Sequence, residues 1–421
     1  DGLNPTPSPA AFTVGIQRGL DPKDRHHNHP GIWRQLTNPG TLIACYGHQR
    51  WRRSWEHAVA DQIRVALIIE PTGNHLNSQY GALKNPEVGE VAILDPTGET
   101  LAAASEAVGD RVTATYTSPE QLFNEFKPAA TLVTMEAWRM PHMIETSLEA
   151  GCHVWHEKPG FVDIEDYRRL YRKAQESNLN LTIAYTTRQR PIVQQARQIV
   201  QEGLLGDLFA CQAWFVADHD RTHDWETLQG GWVFDKARAG GGNLTFLGCH
   251  YLDLMRYVTG DDFVSVSALT RVVGGEPLPV EDAAAVTLEF SKGMIGNLNC
   301  GYYTSKSEYG SGRHFGFLLW GRDGWLRFNP QGSRRGDPLE WMSPTGIHAG
   351  APHKSWTFDA EAATQNEYDL TTSAFFQACL DGTPPPLENE AGMWVNEAIQ
   401  AAYRANETGQ RQPVAIPAAR R

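Results

Sequence analysis

Sustained hydrophobic patterning begins at Ile63. "IRVALIIE" is an almost unbroken apolar run of strand length, "LNSQYGALKN" reads as a short helix and "GEVAILD" as a second strand. "SPEQLFNEF" predicts a helix start, with Ser118 as cap, Pro119 in the first turn and Gln121 completing a capping box. "AATLVTM" is another strand, "PHMIETSLEAG" a helix closed by Gly151, and "CHVWHEKP" the strand after it. "EDYRRLYRKAQESN" and "LNLTIAY" repeat the helix–strand unit. Strands alternating with helices predict parallel βαβ units and a doubly wound sheet.

The pattern then changes. After two helical stretches, "PIVQQARQIVQEGLLG" and "LTFLGCHYLDLMRYVTG", come long strand-like runs: "DFVSVSALTRVV", "DAAAVTLEFSKGMIGNLNCGYY" and "FGFLLWGRDGWLRFNP". Successive strands joined by glycine turns predict a mostly antiparallel, open sheet, so this half is α+β. Helices around 365–381 and 390–408 follow, joined by "DGTPPPLEN". The expected boundaries are an extension over 1–62, a doubly wound α/β domain over 63–185, a C-terminal domain over 186–410 and a tail over 411–421. The extension is rich in Pro, Gly, His, Arg and Trp without periodicity and reads as an arm over a neighbouring surface.

Composition narrows the function classes. The 421 residues carry a formal net charge of −12 with no long basic run, which argues against nucleic acid or an anionic membrane as the main partner. Six scattered cysteines show no C-x-x-C spacing, so a zinc ribbon or thioredoxin-type site is not supported. No apolar stretch approaches the ~18 residues of a membrane span. The chain starts at Asp1 without Met, so a removed leader and export are weighed beside the favoured cytoplasmic location. Thirteen tryptophans suit carbohydrate faces, although core packing explains each one singly.

Ligands of an open α/β sheet bind at the carboxyl ends of its strands. The first strand delivers Glu70, Pro71, Thr72, Gly73 and Asn74 there, without the usual G-x-G-x-x-G. The second ends in Asp95, placed to bond the ribose hydroxyls of a dinucleotide, and no Arg follows in "DPTGET". A carboxylate with no nearby cation repels a 2′-phosphate, which favours NAD over NADP. The strand "CHVWHEKPG" adds Glu157 and Lys158; a lysine at the mouth of a parallel sheet is partly desolvated and suited to polarising a hydroxyl. Three glycines, 240–242, precede a helix and are expected to bring its N-terminus close to a ligand, with His250 and Asp253 on one face. "VADHDRTHDW" supplies Asp220 and His223; a polar sugar-binding loop is favoured there over a metal site, and no metal is assigned. Tyr185, Arg188, Trp232 and Phe246 complete the expected substrate pocket, with Tyr302 and Tyr303 as further candidates.

Over roughly 63–410 the chain resembles the Gfo/Idh/MocA family of sugar and inositol oxidoreductases. The resemblance rests on "AGCHVWHEKPG", "GGGNLTFLGCHYLDLMRYVTG", "EGLLGDL" and "ACLDGTPPP…AYRANETGQ". It implies a Rossmann domain carrying NAD(P), a C-terminal domain with a large open sheet, and homo-oligomers, dimer or tetramer, formed through that sheet. It implies that Lys158 bridges cofactor and substrate, that His250 is the acid/base, and that Thr134, Met135, Glu136 and His142 lie near the nicotinamide. Two positions depart from the family. "EPTGNH" replaces the glycine-rich turn, and Phe246 replaces a substrate-binding aspartate four residues before the histidine. The expected activity is NAD-dependent oxidation of a secondary hydroxyl on a sugar, sugar derivative or cyclitol. The alternatives are an enzyme that cleaves glycosides while recycling its NAD, and a sugar-binding or scaffold protein without redox function.

Overall fold

The computed structural model describes residues 62–304, 313–332, 336–359 and 366–415. The expected N-terminal arm, apart from Gln62, and the end of the expected tail lie outside them. Strands β1 (Ile63–Ile69), β2 (Val88–Leu94), β3 (Val112–Tyr116), β4 (Ala130–Thr134), β5 (His153–His156) and β6 (Leu181–Ile183) form one sheet in the order β3-β2-β1-β4-β5-β6. Every neighbouring pair is parallel. Central β1 and β4 are covered on both faces, which is why their sequences are apolar runs rather than alternations. Leu67 pairs with Ile93 on one side and Leu132 on the other. Strand order reverses between β1 and β4, so a cleft opens at their carboxyl ends.

Helices α1 (Leu76–Ala82), α2 (Leu101–Val108), α3 (Met140–Glu149) and α4 (Ile164–Glu176) flank this sheet. The helix expected after Ser118 is shorter than its pattern. Ser118 Oγ accepts from the Gln121 amide at 3.4 Å, and one turn later the chain widens into a π-helical turn over Leu122–Phe126.

Helix α5 (Pro191–Gln201) packs on helix α6 (Cys249–Thr259), which packs on the second sheet. Its strands are β7 (Leu208–Asp218), β8 (Phe263–Arg271), β9 (Ala283–Phe290), β10 (Ile295–Thr304), β11 (His314–Gly321), β12 (Trp325–Phe328), β13 (Leu339–Met342), β14 (His353–Trp356) and β15 (Gln412–Pro413). The order is β14-β13-β12-β11-β7-β10-β9-β8-β15, antiparallel throughout except for the parallel β7–β10 pair. Alternation along β10 sends Leu298 and Cys300 inward and Asn297 and Asn299 outward.

Two sets of contacts cross the expected boundaries. Helix α7 (Glu367–Asp381) packs back on the first domain: Phe375 lies 5.8 Å from Trp155, and the Asn85 amide donates to Asp369 O and Thr372 Oγ1. Helix α8 (Glu390–Thr408) joins it through Arg168 and Glu397. The expected tail begins as a strand, because Gln412 and Pro413 pair with Val266 and Ser265 at the sheet edge.

Candidate active site

The β1–α1 turn is held by charge pairs. The buried Glu70 carboxylate accepts from the Glu136 amide and from Arg139, both at 2.5 Å. Burial raises its pKa against these bonds. Glu136 accepts from Thr72 Oγ1 at 2.9 Å, Trp138 Nε1 at 2.8 Å and the Arg238 guanidinium. Burial opposes ionisation of Glu136, yet the bonds from Arg238, Trp138 and Thr72 hold its carboxyl below the usual range. Each carboxylate at the turn therefore has an arginine counter-charge.

Gly73 is required by close approach: a Cβ there would sit 2.5 Å from the Thr134 carbonyl oxygen. Thr134 Oγ1 in turn donates to Asn74 O at 2.6 Å. Both side-chain polar atoms of Asn74 are buried with no partner, which is costly unless a ligand engages them. An uncharged amide with free donor and acceptor, beside carboxylates neutralised by arginines, fits a dinucleotide at this turn.

Asp95 does not offer its carboxylate to a ribose. It is fully buried and accepts four bonds from its own loop, from the amides and hydroxyls of Thr97 and Thr100, at 2.7–2.9 Å. These bonds use all its acceptor sites and hold its pKa low against burial. The expected cofactor role is replaced by a loop-capping one. His142 is exposed on α3, while Met135 is buried.

Beyond β5, Glu157 is fully buried; it accepts from Gln79 at 2.7 Å and meets His75 Nδ1 at 3.1 Å. His75, in the left-handed region, also meets the Tyr368 hydroxyl at 3.0 Å. The Lys158 ammonium lies 3.3 Å from Phe246 O and 3.7 Å from the Phe246 ring centroid. Burial pushes Lys158 below the usual lysine range; Cys249 and Glu157 oppose the shift, and Arg221 adds to it.

Phe246 and His250 come from one segment. Leu244–Gly248 forms a π-helical turn that runs into α6. Such turns re-aim side chains at functional sites. His250 has its Nδ1 buried without a partner and its ring 6.1 Å from that of Tyr185. Burial first, then the nearby Lys158 charge, holds its pKa well below the usual histidine value. It is a neutral imidazole at pH 7. Tyr185 is buried with an unpartnered hydroxyl. Trp232 is buried, packs edge-on to Phe246 at 6.1 Å and donates its indole N–H to Thr72 O at 2.9 Å. The wall of the site thus reaches across to the nucleotide turn.

Other expected site residues are engaged elsewhere. Arg188 and Asp253 form a buried bidentate pair, and Glu388 bridges Arg188 to Arg256. Their charges are thus met within the protein, on helix α6 and at Glu388. The glycine run faces protein rather than ligand: a Cβ on Gly241 would meet the Tyr403 hydroxyl at 2.0 Å, and one on Gly242 the Glu281 carbonyl at 1.9 Å. The Glu281 carboxylate caps this segment through the Gly242 and Leu244 amides and Tyr403. His223 pairs with Glu276 at 2.6 Å at the surface, and Asp220 lies partly buried in the adjoining short helix Asp220–His223. Tyr302 is buried and Tyr303 exposed.

His75, Gln79 and Arg221 were not anticipated. His75 stands inside the quoted nucleotide turn and Arg221 inside "VADHDRTHDW", but a charge or ring without its partner carries no distinguishing signal in a single sequence.

Comparison with known proteins places both domains in one family. Residues 72–185 match the oxidoreductase family with an NAD-binding Rossmann fold, and residues 193–327 match the GFO/IDH/MocA C-terminal domain. The chain belongs to the Gfo/Idh/MocA family of NAD(P)-dependent oxidoreductases. It is 26% identical over 320 residues to 1,5-anhydro-D-fructose reductase of Ensifer adhaerens, covering 74% of this chain and 83% of that one. It is 26% identical over 368 residues to D-glucoside 3-dehydrogenase of Escherichia coli, covering 83% and 97%. A levoglucosan dehydrogenase solved with NADH and levoglucosan shares the fold, with a TM-score of 0.72 at 18% identity over 84% of this chain and 100% of that one. Among the described residues no helix is long and apolar enough to cross a membrane.

Proposed function

We propose that the protein oxidises a secondary hydroxyl of a sugar or sugar derivative, with Lys158 and His250 as its catalytic residues and NAD as its cofactor. The observation that carries this reading is a buried lysine, its ammonium against Phe246 on the turn that leads into the helix of His250, together with a histidine whose buried Nδ1 has no partner. Gly73, Asn74 and Thr134 would hold the dinucleotide at the β1–α1 turn. The nicotinamide, when bound, supplies the hydride acceptor. The neutral imidazole of His250 takes the hydroxyl proton, and the Lys158 ammonium stabilises the oxygen as negative charge develops on it. Trp232 and Phe246 keep water from the reacting carbon. NAD is favoured over NADP because the loop after β2, "DPTGET", carries Glu99 and no cation to meet a 2′-phosphate.

Replacing His250 or Lys158 by Ala is expected to lower kcat/KM for the best NAD-reducing sugar by ~10²–10⁴. NAD affinity should be largely retained. Loss of NAD affinity in both variants with unchanged turnover would contradict the assignment.

The same reading includes a homo-oligomer. The outer face of the second sheet exposes Leu269, Ile295 and Trp320 among Ser267, Thr287, Asn297 and Asn299, a flat surface suited to a second copy.

A further inference from the structure

We propose that His75 is a cofactor-binding residue of the altered β1–α1 turn: its imidazole, anchored through Nδ1 on Glu157, presents Nε2 to a hydroxyl of the nicotinamide ribose. This deepens the function proposed above and rests on its NAD site.

His75 follows Asn74 at the end of the turn and stands just before α1. Its backbone is left-handed, with φ 54° and ψ 33°, a conformation that favours glycine and disfavours residues with a Cβ. Strain of this kind collects at ligand clamps and active sites. The ring is anchored on one side only. Nδ1 lies 3.1 Å from Glu157 Oε2 and 3.0 Å from the Tyr368 hydroxyl, and the ring tilts against that of Tyr368 with centroids 5.6 Å apart. Glu157 is fully buried and also accepts from Gln79 Nε2 at 2.7 Å and from the Lys158 amide at 3.2 Å.

A carboxylate only accepts, so Nδ1 carries the proton that it donates to Glu157, and Nε2 is left with a lone pair. Glu157 and Tyr368 are closed to solvent, whereas the His75 side chain is 40% exposed and its Nε2 bonds no described residue. That open nitrogen stands between the two halves of the proposed site. Gly73 and Asn74, just before it, belong to the dinucleotide turn, and Glu157, on which the ring rests, immediately precedes Lys158. A dinucleotide whose diphosphate lies at the turn and whose nicotinamide reaches Lys158 carries its second ribose past His75. Ribose hydroxyls donate to an imidazole lone pair, while diphosphate oxygens only accept and are repelled by it. The ring therefore selects the ribose.

The test is calorimetric titration of the full chain with NAD⁺, ADP-ribose and ADP. The first two carry the second ribose and ADP lacks it. His75→Asn keeps a residue that tolerates the left-handed backbone and removes the imidazole. It should weaken NAD⁺ and ADP-ribose by about three- to ten-fold, the worth of one hydrogen bond, and leave ADP within about two-fold. Equal weakening of all three, the mark of a damaged turn, or weakening of none would overturn the proposal while leaving the NAD reading intact. A second measurement needs no variant. Carbethoxylation of His75 by diethyl pyrocarbonate, read by peptide mass mapping of the native chain, should be blocked by saturating NAD⁺ or ADP-ribose and should persist with ADP. Modification that proceeds unchanged with NAD⁺ bound would overturn the proposal. If the native chain binds none of the three ligands, the NAD reading fails and this proposal fails with it.

Discussion

Lys158 presses its ammonium against the face of Phe246, 3.7 Å from the ring centroid. The ammonium is held by a ring quadrupole and one carbonyl oxygen. Both meet the lysine where it is buried. Replacing Phe246 by Leu preserves apolar volume and removes the quadrupole. It should cost about 0.5–2 kcal/mol of stability, read as a lower urea midpoint. An unchanged midpoint would mean that the stacking contributes nothing.

The Arg188–Asp253 pair predicts a stability phenotype rather than a binding one. Asp253→Asn leaves a buried guanidinium half-paired and should cost about 3–5 kcal/mol. Denaturant unfolding checks this. A raised KM with an unaltered unfolding midpoint would return the pair to the substrate site.

Acid should destabilise the fold through its buried histidines. His156 is fully buried, and burial lowers its pKa to about 4. His250 is shifted in the same direction, first by burial. The unfolded chain therefore binds more protons than the folded one between the folded value and ~6.5. This contribution is complete above pH ~6.5 and is lost as pH falls from there towards about 4. For His156 it is on the order of 3 kcal/mol. Unfolding free energies at pH 7 and pH 5 should fall more for the native protein than for His156→Gln; equal losses would contradict the assignment.

The outer sheet face predicts its own disruption. Leu269→Glu with Trp320→Glu, both at exposed positions, should convert the oligomer to monomer in light scattering without lowering the unfolding temperature of the fold. A native protein that is already monomeric would contradict the proposed assembly.

The parallel sheet was legible because strands covered on both faces must be continuously apolar, and β1 and β4 are. The antiparallel sheet was legible from alternation and glycine turns. Long-range pairing was not. Asp95 sits at the expected ribose position, yet its bonds go to Thr97 and Thr100 in its own loop. The spacing of "DPTGET" permits that capping, but a strand-end carboxylate looks the same in either role. The glycine run signalled close approach correctly and its partner wrongly: Glu281 and Tyr403 fill the space expected for a ligand. Arg188 and Asp253 each read as pocket residues because neither shows, in one sequence, the other that consumes it. Lys158 and His250 are candidates that local context alone suggests. Their electrostatic setting was not legible, because it depends on Arg221, Phe246 and His75 arriving from separate elements.

The most direct test of the account is calorimetric titration of the protein with NAD⁺ and NADP⁺, repeated on Gly73→Ala. NAD⁺ should bind at one site per chain, at least ten-fold tighter than NADP⁺. Gly73→Ala, whose Cβ would lie 2.5 Å from Thr134 O, should weaken that binding sharply. No binding of either dinucleotide would contradict the claim that this altered turn serves an NAD-dependent oxidoreductase.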